Sequence, residues 1–423
     1  MPSPEREITR ATCAGCGCLC DDVDVEHAGG RLERLSGTCP LGDAWFAARA
    51  GEPGPAARID GREAPLDEAL DEAAAILSAA RFPLVYGLGA TSIEAQREAV
   101  ALADALGAVV GPSGPVRDGA LGAAFTTVGA STATFGEIRD RAQLVVVWRA
   151  DPAATHPRLL ERLRLDRASR AGRALVVVGA AGTPTAHEAD EVIELGDGLD
   201  LEALWATRAL ARGIDPGDDA RVPVGALRAL AERLRSAGHA AVLLGAGIAA
   251  AEAGRANVHA LHALVRDLDR ETHVVTLALR SDGNALGAED VLAWQTGYPA
   301  AVGLAAGHPR SDAFTLDAAA VLAGGDADAA LIVAADARHE LPAPAAERLA
   351  MIPTVVVDAR ETDTAAAARV ALRSAAAGVH VAGTAHRMDG VPVALRAPLA
   401  SPLHSDEQLL RALRDRIDGS AAC

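Results

Sequence analysis

The stretch AQLVVVWRA, residues 142–150, is a short and continuous apolar run that ends in a polar segment. Such β-branched runs are typical of strands buried on both faces of a parallel sheet. Similar runs recur at 83–90, 173–182, 240–248, 273–279, 329–336 and 352–360. Between them lie stretches with helical spacing, such as LDEALDEAAAILSAAR (66–81) and LLRALRDRI (409–417). The alternation predicts an α/β protein with right-handed crossovers and enough strands for two parallel sheets.

Composition narrows the class of protein. The 423 residues are enough for two or three domains, and a chain that is 50% hydrophobic but only 3% aromatic predicts an aliphatic core. No apolar run is long enough to span a bilayer, and the first ten residues lack the apolar core of a secretory signal, so we expect a cytoplasmic protein with no membrane partner. A net charge of −17 argues against a nucleic-acid partner. The absence of lysine excludes Schiff-base catalysis and a P-loop lysine.

Five of the six cysteines lie in TCAGCGCLCDDVDVEHAGGRLERLSGTC, residues 12–39, with the spacing C-x2-C-x3-C-x18-C and Cys18 as an additional thiol. Three clustered thiols and a distant fourth favour a [4Fe–4S] cluster. A zinc site, which prefers two close pairs, and ordinary buried thiols remain as alternatives. Residues 1–50 are rich in Cys and Gly and show no helical repeat, so we predict a separate small subdomain there.

Two polar segments follow predicted strands or lie between glycines. DPAATHPRLLER (151–162) contains His156 and Arg158, and GTAHRMDGVPVALR (383–396) contains His386 and Arg387. Loops at the carboxyl ends of parallel strands often carry function, although composition alone favours ordinary solvated loops. The glycine-rich turns 86–92 and 244–250 match no nucleotide-binding motif. The residues by themselves therefore indicate no reaction.

The segment TCAGCGCLCDDV resembles the opening of the B subunit of formylmethanofuran dehydrogenase, a member of the molybdopterin oxidoreductase family. The resemblance continues through TFGEIRDRAQLVVVWRADPAATHPR (134–158), EDVLAWQTGYPAAV (289–302), IPTVVVDARETDTAAAA (352–368) and GTAHRMDGVPVALR (383–396). It implies a molybdopterin-oxidoreductase-like α/β fold: a cysteine-rich subdomain at 1–50, a discontinuous α/β domain formed by 51–112 with 286–382, and a second α/β domain at 113–285. It also implies that 383–423 packs near the N-terminal subdomain, and that 83–90 and 329–336 share one sheet.

The family subunit carries a [4Fe–4S] cluster and a molybdenum or tungsten pterin, and it reduces carbon dioxide to a formyl group or runs the reverse reaction. The resemblance implies that Cys13, Cys16, Cys20 and Cys39 are the cluster ligands and that Cys18 is spare. It also suggests that His156, Arg158, His386 and Arg387 lie in remnants of the cofactor-binding loops.

Two departures from the family bear on its redox chemistry. Shortly before TFGE, the catalytic members have a metal-ligating cysteine followed by histidine, and this chain aligns Arg117 and Asp118 there. A guanidinium has no lone pair to offer a metal. The family also has an Asp-Pro-Arg turn that contacts the pterin dinucleotide, and this chain reads Gly179, Ala180, Ala181. We therefore expect that the pterin guanine dinucleotide is absent and that no catalytic residue remains.

The resemblance extends to the B subunit of the bacterial formyltransferase/hydrolase complex, which looks like the dehydrogenase subunit without its redox centre. One hypothesis is therefore a non-catalytic subunit of such a complex, with the other subunits and a methanofuran-type carrier as partners. The alternative is a working molybdenum- or tungsten-dependent dehydrogenase subunit that tolerates Arg117. The sequence does not decide whether the chain is an enzyme.

Overall fold

A computed structural model describes residues 6–51, 54–112, 124–170, 172–217, 220–249 and 253–421. The chain forms two compact units, and both are discontinuous in sequence. The first comprises Met1–Gly119, Asp282–Arg387 and Pro392–Cys423, and the second comprises Ala120–Ser281 and Met388–Val391. No helix in the described part of the chain is long and apolar enough to cross a membrane.

The strands of the described residues are numbered here along the chain. They are β1 (Arg6–Cys13), β2 (Cys20–Ala28), β3 (Arg31–Ser36), β4 (Ala57–Ile59), β5 (Arg62–Glu63), β6 (Pro83–Gly87), β7 (Val109–Pro112), β8 (Leu144–Trp148), β9 (Ala174–Gly179), β10 (Glu191–Glu194), β11 (His239–Leu244), β12 (His273–Ala278), β13 (Val302–Gly303), β14 (Arg310–Ser311), β15 (Ala329–Val333), β16 (Thr354–Asp358), β17 (Val370–Arg373), β18 (Gly383–His386) and β19 (Pro392–Leu395).

The large sheet of the first unit has the order β14-β13-β7-β6-β15-β16-β17-β4-β5. Its centre, β7 to β17, is parallel, and short antiparallel strands extend both edges. β6 pairs directly with β15, from Pro83 opposite Ala329 to Gly87 opposite Val333. The expected sharing of one sheet by 83–90 and 329–336 is therefore observed across a long sequence separation.

The sheet of the second unit has the order β10-β9-β8-β11-β12 and is parallel throughout. Its core is built from Val, Leu and Ala on the strands and on the flanking helices. Each of the seven predicted apolar runs contains one of the observed parallel strands. The predicted mixed α/β fold with two parallel sheets is confirmed.

The helices of the described residues begin and end at Pro40–Ala47, Leu66–Ala79, Ile93–Leu106, Phe135–Arg141, Pro152–Thr155, Leu159–Arg162, Pro184–Glu188, Asp200–Ala211, Val224–Ser236, Ala246–Ala249, Gly254–Leu268, Ala285–Thr296, Ala318–Gly324, Ala337–Glu340, Ala343–Leu349, Asp363–Ala367 and Asp406–Ala421. Local sequence explains several of these limits. The Ser92 hydroxyl accepts a hydrogen bond from the Ala95 amide at 3.3 Å, and Gly107 ends the same helix in the left-handed region.

Residues 6–36 form a three-stranded antiparallel sheet, β1-β2-β3, which the helix Pro40–Ala47 follows. The hairpin β18–β19 lies beside this sheet, because the Thr12 hydroxyl donates to the Ala394 carbonyl at 2.9 Å. The C-terminal helix packs elsewhere: its buried Leu409, Leu410 and Leu413 join the core formed by the helices Leu66–Ala79 and Ile93–Leu106.

The limits of the units differ from the expected limits at two places. Residues 282–285 belong to the first unit, where the Asn284 amide donates to the Gly89 carbonyl at 2.8 Å. The turn Met388–Val391 belongs to the second unit, where the Asp389 carboxylate accepts a hydrogen bond from the Phe135 amide at 2.6 Å. No local sequence pattern predicts either of these long-range hydrogen bonds.

Candidate functional site

The ends of β1 and β2 bring together the first cysteines of the N-terminal motif. Cys13 and Cys20 are register partners of the two strands. The connecting loop contains Cys16, whose carbonyl accepts a hydrogen bond from the Leu19 amide at 3.2 Å. Cys39 precedes the helix Pro40–Ala47, and its carbonyl accepts a hydrogen bond from the Asp43 amide. Cys13, Cys16 and Cys20 are buried, and Cys39 is partly exposed.

The pKa of the Cys13 thiol depends on the other three predicted ligands. Burial raises the pKa of the Cys13 thiol to about 12, a backbone hydrogen bond with Gly15 lowers it, and the neighbouring thiols of Cys20, Cys16 and Cys39 raise it. A thiol in such surroundings loses its proton readily only when a cation shares its charge, as in metal ligation. Cys20, Cys16 and Cys39, whose thiols raise the pKa of Cys13, are the three other cysteines of the predicted ligand set.

Two glycines keep space beside the Cys13 sulfur. A Cβ at Gly42 would lie 3.0 Å from Cys13 Sγ and would clash with Thr38 Oγ1, and a Cβ at Gly15 would lie 3.4 Å from the same sulfur. Side chains at these positions would crowd the thiol that a cluster needs. The donor set and this glycine-lined space fit an iron–sulfur cluster.

The identity of the metal stays a prediction. A mononuclear zinc site with bonds of about 2.3 Å would hold its sulfurs only about 3.8 Å apart, whereas ligands at the corners of a cube would lie further apart.

The predicted segment 151–162 lies in the second unit, and its histidine is fully engaged. His156 is buried, its Nε2 lies 2.8 Å from the Arg280 carbonyl oxygen, and its Nδ1 lies 2.9 Å from the Thr155 hydroxyl. Burial lowers the pKa of His156 despite the bond with Arg280, so the neutral ring is favoured. Arg158 donates to the Glu161 carboxylate at 3.1 Å. Both side chains therefore contribute to the loop's own structure.

The segment 383–396 places its histidine in the first unit. His386 Nδ1 lies 2.6 Å from Asp290 Oδ2, and its ring meets the edge of Trp294 at 5.4 Å between centroids. Its backbone amide donates to Asn284 Oδ1 at 2.7 Å. Arg387 is partly buried beside it. The predicted positions Arg117 and Asp118 lie outside the described residues.

The residues Gly179, Ala180 and Ala181, which the resemblance aligns with the family's Asp-Pro-Arg turn, lie at the carboxyl end of β9. Gly179 ends the strand at a φ of 150°, and Ala180 and Ala181 that follow it are exposed. At the end of neighbouring β8, the Arg149 guanidinium donates to Asp200 Oδ1 at 2.9 Å and to Asp197 Oδ1 at 3.2 Å. The turn offers no polar side chain to a dinucleotide, and the adjacent cation is already neutralised by two carboxylates. These residues do not fit the family's pterin dinucleotide contact.

Sequence reasoning missed a partly buried acidic group at the carboxyl edge of the large sheet. Glu340 accepts hydrogen bonds from the Tyr86 hydroxyl at 3.1 Å and from the Asp336 amide at 2.9 Å. Burial raises the pKa of Glu340 to about 7, and the charge of Asp282 adds to this. The position of Tyr86 is predictable because it lies in an apolar run that forms a strand. No local sequence pattern predicts the role of Glu340, because the residues that surround its carboxylate are distant in the sequence.

Two residues at the carboxyl edge of the large sheet have strained backbone conformations. Leu88 follows β6 with a φ of 82°, and Ala334 follows β15 with a φ of 51°. Residues other than glycine rarely adopt this region, and those that do are concentrated at functional sites. The Leu88 amide donates to the Val333 carbonyl at 2.8 Å, which holds one of these strained turns.

Comparison with known proteins begins with sequence. No family model matches the chain. It is 31% identical over 427 residues to the B subunit of the tungsten-containing formylmethanofuran dehydrogenase 2 of Methanocaldococcus jannaschii, covering 97% of this chain and 98% of that protein. The protein of the same name from Methanococcus maripaludis is 30% identical and covers 96% of this chain and 98% of its own length. The B subunit of the formyltransferase/hydrolase complex Fhc of Methylorubrum extorquens is 31% identical over 299 residues, which are 68% of this chain and 76% of that protein.

Solved structures show the same relationships. A chain of the Methylorubrum extorquens formyltransferase/hydrolase complex, crystallised with methylofuran, superposes with a TM-score of 0.71 and 27% identity, over 87% of this chain and all of that chain. Acetylene hydratase from Pelobacter acetylenicus superposes with a TM-score of 0.69 over 97% of this chain and 69% of its own, at 14% identity. The second similarity is one of fold alone.

Proposed function

Because the chain belongs to the family of formylmethanofuran dehydrogenase B subunits, we propose that it is a non-catalytic structural subunit of a formyltransferase/hydrolase complex in one-carbon metabolism. The observation that carries the proposal is Arg117, which the resemblance aligns with a metal-ligating cysteine of the redox-active members of the family. A guanidinium remains protonated near neutral pH and donates hydrogen bonds only, so it cannot take the place of a thiolate on tungsten or molybdenum.

The end of β9 supports the same conclusion independently. Gly179 and the alanines after it replace the dinucleotide-contacting turn, and Arg149 is held by Asp197 and Asp200. A pterin dinucleotide carries phosphates, which need available donors or cations. Loss of the metal ligand and of the dinucleotide contact is expected when a cofactor site is no longer maintained.

The proposal includes a [4Fe–4S] cluster on Cys13, Cys16, Cys20 and Cys39. When bound, such a cluster supplies one-electron redox chemistry in the family. Without a pterin beside it, its function here is structural: it would tie the ends of β1 and β2 to the start of the helix Pro40–Ala47. The partners are the other subunits of the complex, and the small-molecule partner is a methanofuran-type carrier.

The test is purification of the intact complex under anaerobic conditions, followed by metal analysis and activity assays. We expect about four irons per chain, no stoichiometric tungsten or molybdenum, and no viologen reduction with formylated carrier. The complex should still transfer and hydrolyse formyl groups. Stoichiometric tungsten or molybdenum with a pterin guanine dinucleotide would overturn the proposal.

One observation favours the alternative, an active dehydrogenase subunit. The similarity to the tungsten-containing subunits covers 97% of the chain, whereas the similarity to the Fhc subunit covers 68%. The same metal analysis decides between the two functions, because only the dehydrogenase needs tungsten or molybdenum.

A further inference from the structure

Two histidines lie side by side at the amino-terminal edge of the sheet in the second unit. His239 is the first residue of β11, His273 is the first residue of β12, and the two are direct register partners in a parallel pair. Register partners on adjacent parallel strands point to the same face of the sheet. Their rings accordingly meet at 4.4 Å between centroids.

A carboxylate completes the group. Glu137 is the third residue of the helix Phe135–Arg141, which Thr134 caps by accepting a hydrogen bond from the Glu137 amide at 3.2 Å. In a capping box the glutamate would turn back to the amide of the capping residue. Here Glu137 Oε1 lies 3.3 Å from His273 Nε2 and 4.0 Å from His239 Nε2. The three ligand atoms all lie within 4.8 Å of one another.

A buried nitrogen without a partner points to a ligand at this position. His239 is 7% exposed, and its Nε2 makes no hydrogen bond to any described residue. A buried polar atom left in this state destabilises the folded protein. The nitrogen lies among the ligand atoms of Glu137 and His273, where a bound cation would satisfy it.

A second carboxylate orients the exposed histidine. Asp269 Oδ1 lies 3.3 Å from His273 Nδ1, so the other nitrogen, Nε2, is left to face Glu137. Carboxylates commonly hold metal-ligating histidines in this way.

We propose that Glu137, His239 and His273 bind a divalent transition-metal ion of the zinc type, with solvent completing its coordination. Two imidazole nitrogens and one carboxylate oxygen are typical of zinc and its transition-metal neighbours, whereas magnesium and calcium prefer oxygen ligands alone. Ligands about 2.1 Å from one tetrahedral ion lie about 3.4 Å from one another. The separation of 3.3 Å already matches this value, and the separation of 4.0 Å needs a contraction of about half an ångström. Glu137 and Asp269 together outweigh the single positive charge of Arg141.

The position within the sheet indicates a structural site. Ligands of parallel α/β sheets bind at the carboxyl ends of the strands, and these histidines lie at the opposite ends. The ion would join the helix Phe135–Arg141 to β11 and β12. Metal that binds the folded state alone should therefore raise the stability of this unit.

The test is titration of the untagged full-length protein with Co²⁺ as a spectroscopic probe for zinc. We expect one equivalent with visible d–d bands and no sulfur-to-cobalt charge-transfer bands, separate from any cobalt that the N-terminal cysteines bind with such bands. Glu137→Gln and His273→Gln should each weaken this binding at least tenfold, and Asp269→Asn about tenfold as a positioning residue. His187→Gln, an exposed histidine of the same unit, is the matched control and should leave the affinity unchanged.

Thermal unfolding gives a second readout. Zn²⁺ should raise the unfolding temperature of the wild type and of His187→Gln, but not that of Glu137→Gln, which changes only a partly exposed side chain and leaves the apolar core unaltered. Cobalt bands confined to thiolate ligation, or equal cobalt affinity in the wild type and in Glu137→Gln and His273→Gln, would overturn the proposal.

Discussion

At the residue scale, the buried Asp406 shows how strongly packing alters a side chain. It begins the C-terminal helix and accepts a hydrogen bond from the Thr91 hydroxyl at 2.5 Å. The helix N-terminus and this hydrogen bond both favour the carboxylate. Burial outweighs them and raises the pKa of Asp406 from 3.8 to about 6.

This raised pKa predicts a pH-dependent stability. The unfolded chain releases the Asp406 proton near pH 4 and the folded chain near pH 6, so the wild type loses stability as pH rises through this window. Asp406→Asn cannot ionise, so from pH 4 to pH 7 it should gain stability relative to the wild type, on the order of 2 kcal/mol. Unfolding measured at both pH values checks this, with the exposed Asp415→Asn as the control on the same helix. Parallel pH curves for the wild type and Asp406→Asn would contradict the prediction.

At the element scale, the loop between β1 and β2 presents two cysteines with different environments. Cys16 is one of the thiols whose charge raises the pKa of Cys13. Cys18 is also almost fully buried, with 1% exposure. The loop therefore separates a predicted ligand from a predicted core residue only two positions away.

Matched substitutions in this loop test that separation. After anaerobic reconstitution with iron and sulfide, Cys18→Ser should keep about four irons and the brown absorbance of the wild type. Cys16→Ser should lose most of the iron, because a serine hydroxyl is a poor replacement for a thiolate ligand. Iron analysis and visible spectra measure both variants. Loss of iron from Cys18→Ser with retention in Cys16→Ser would reverse the ligand assignment.

At the scale of the whole molecule, a redox centre of this family needs several parts of the chain at once. A metal ligand alone does not bind a pterin dinucleotide, because most of its affinity comes from contacts to the rest of the cofactor. Arg117→Cys restores the ligand type but leaves Gly179, Ala180 and Ala181 unchanged.

We therefore expect that Arg117→Cys binds no stoichiometric tungsten or molybdenum in the complex. The variant would be expressed in a host that makes the pterin cofactor, and its metal content compared with that of the wild type and of Arg117→Ala. Uptake of tungsten by Arg117→Cys alone would show that the cofactor site is intact apart from one residue.

Much of the fold was predictable from the sequence. Each of the seven apolar runs became a parallel strand, because burial on both faces of a sheet requires a local run of apolar residues that is visible in the chain itself. The cysteine spacing likewise predicted a convergence of thiols, and the hairpin register of Cys13 with Cys20 agrees with it. Features that depend on residues close together in the chain can therefore be predicted from the sequence.

Other properties were decided only by tertiary structure. The pairing of β6 with β15 was expected from family resemblance rather than from any local pattern, and the meeting of His239, His273 and Glu137 was not expected at all. The pKa values of Glu340 and Asp406 depend on burial by residues distant in sequence. Strand order, register and desolvation depend on contacts between residues that are distant in the sequence. The chemistry of each site was therefore decided by tertiary structure.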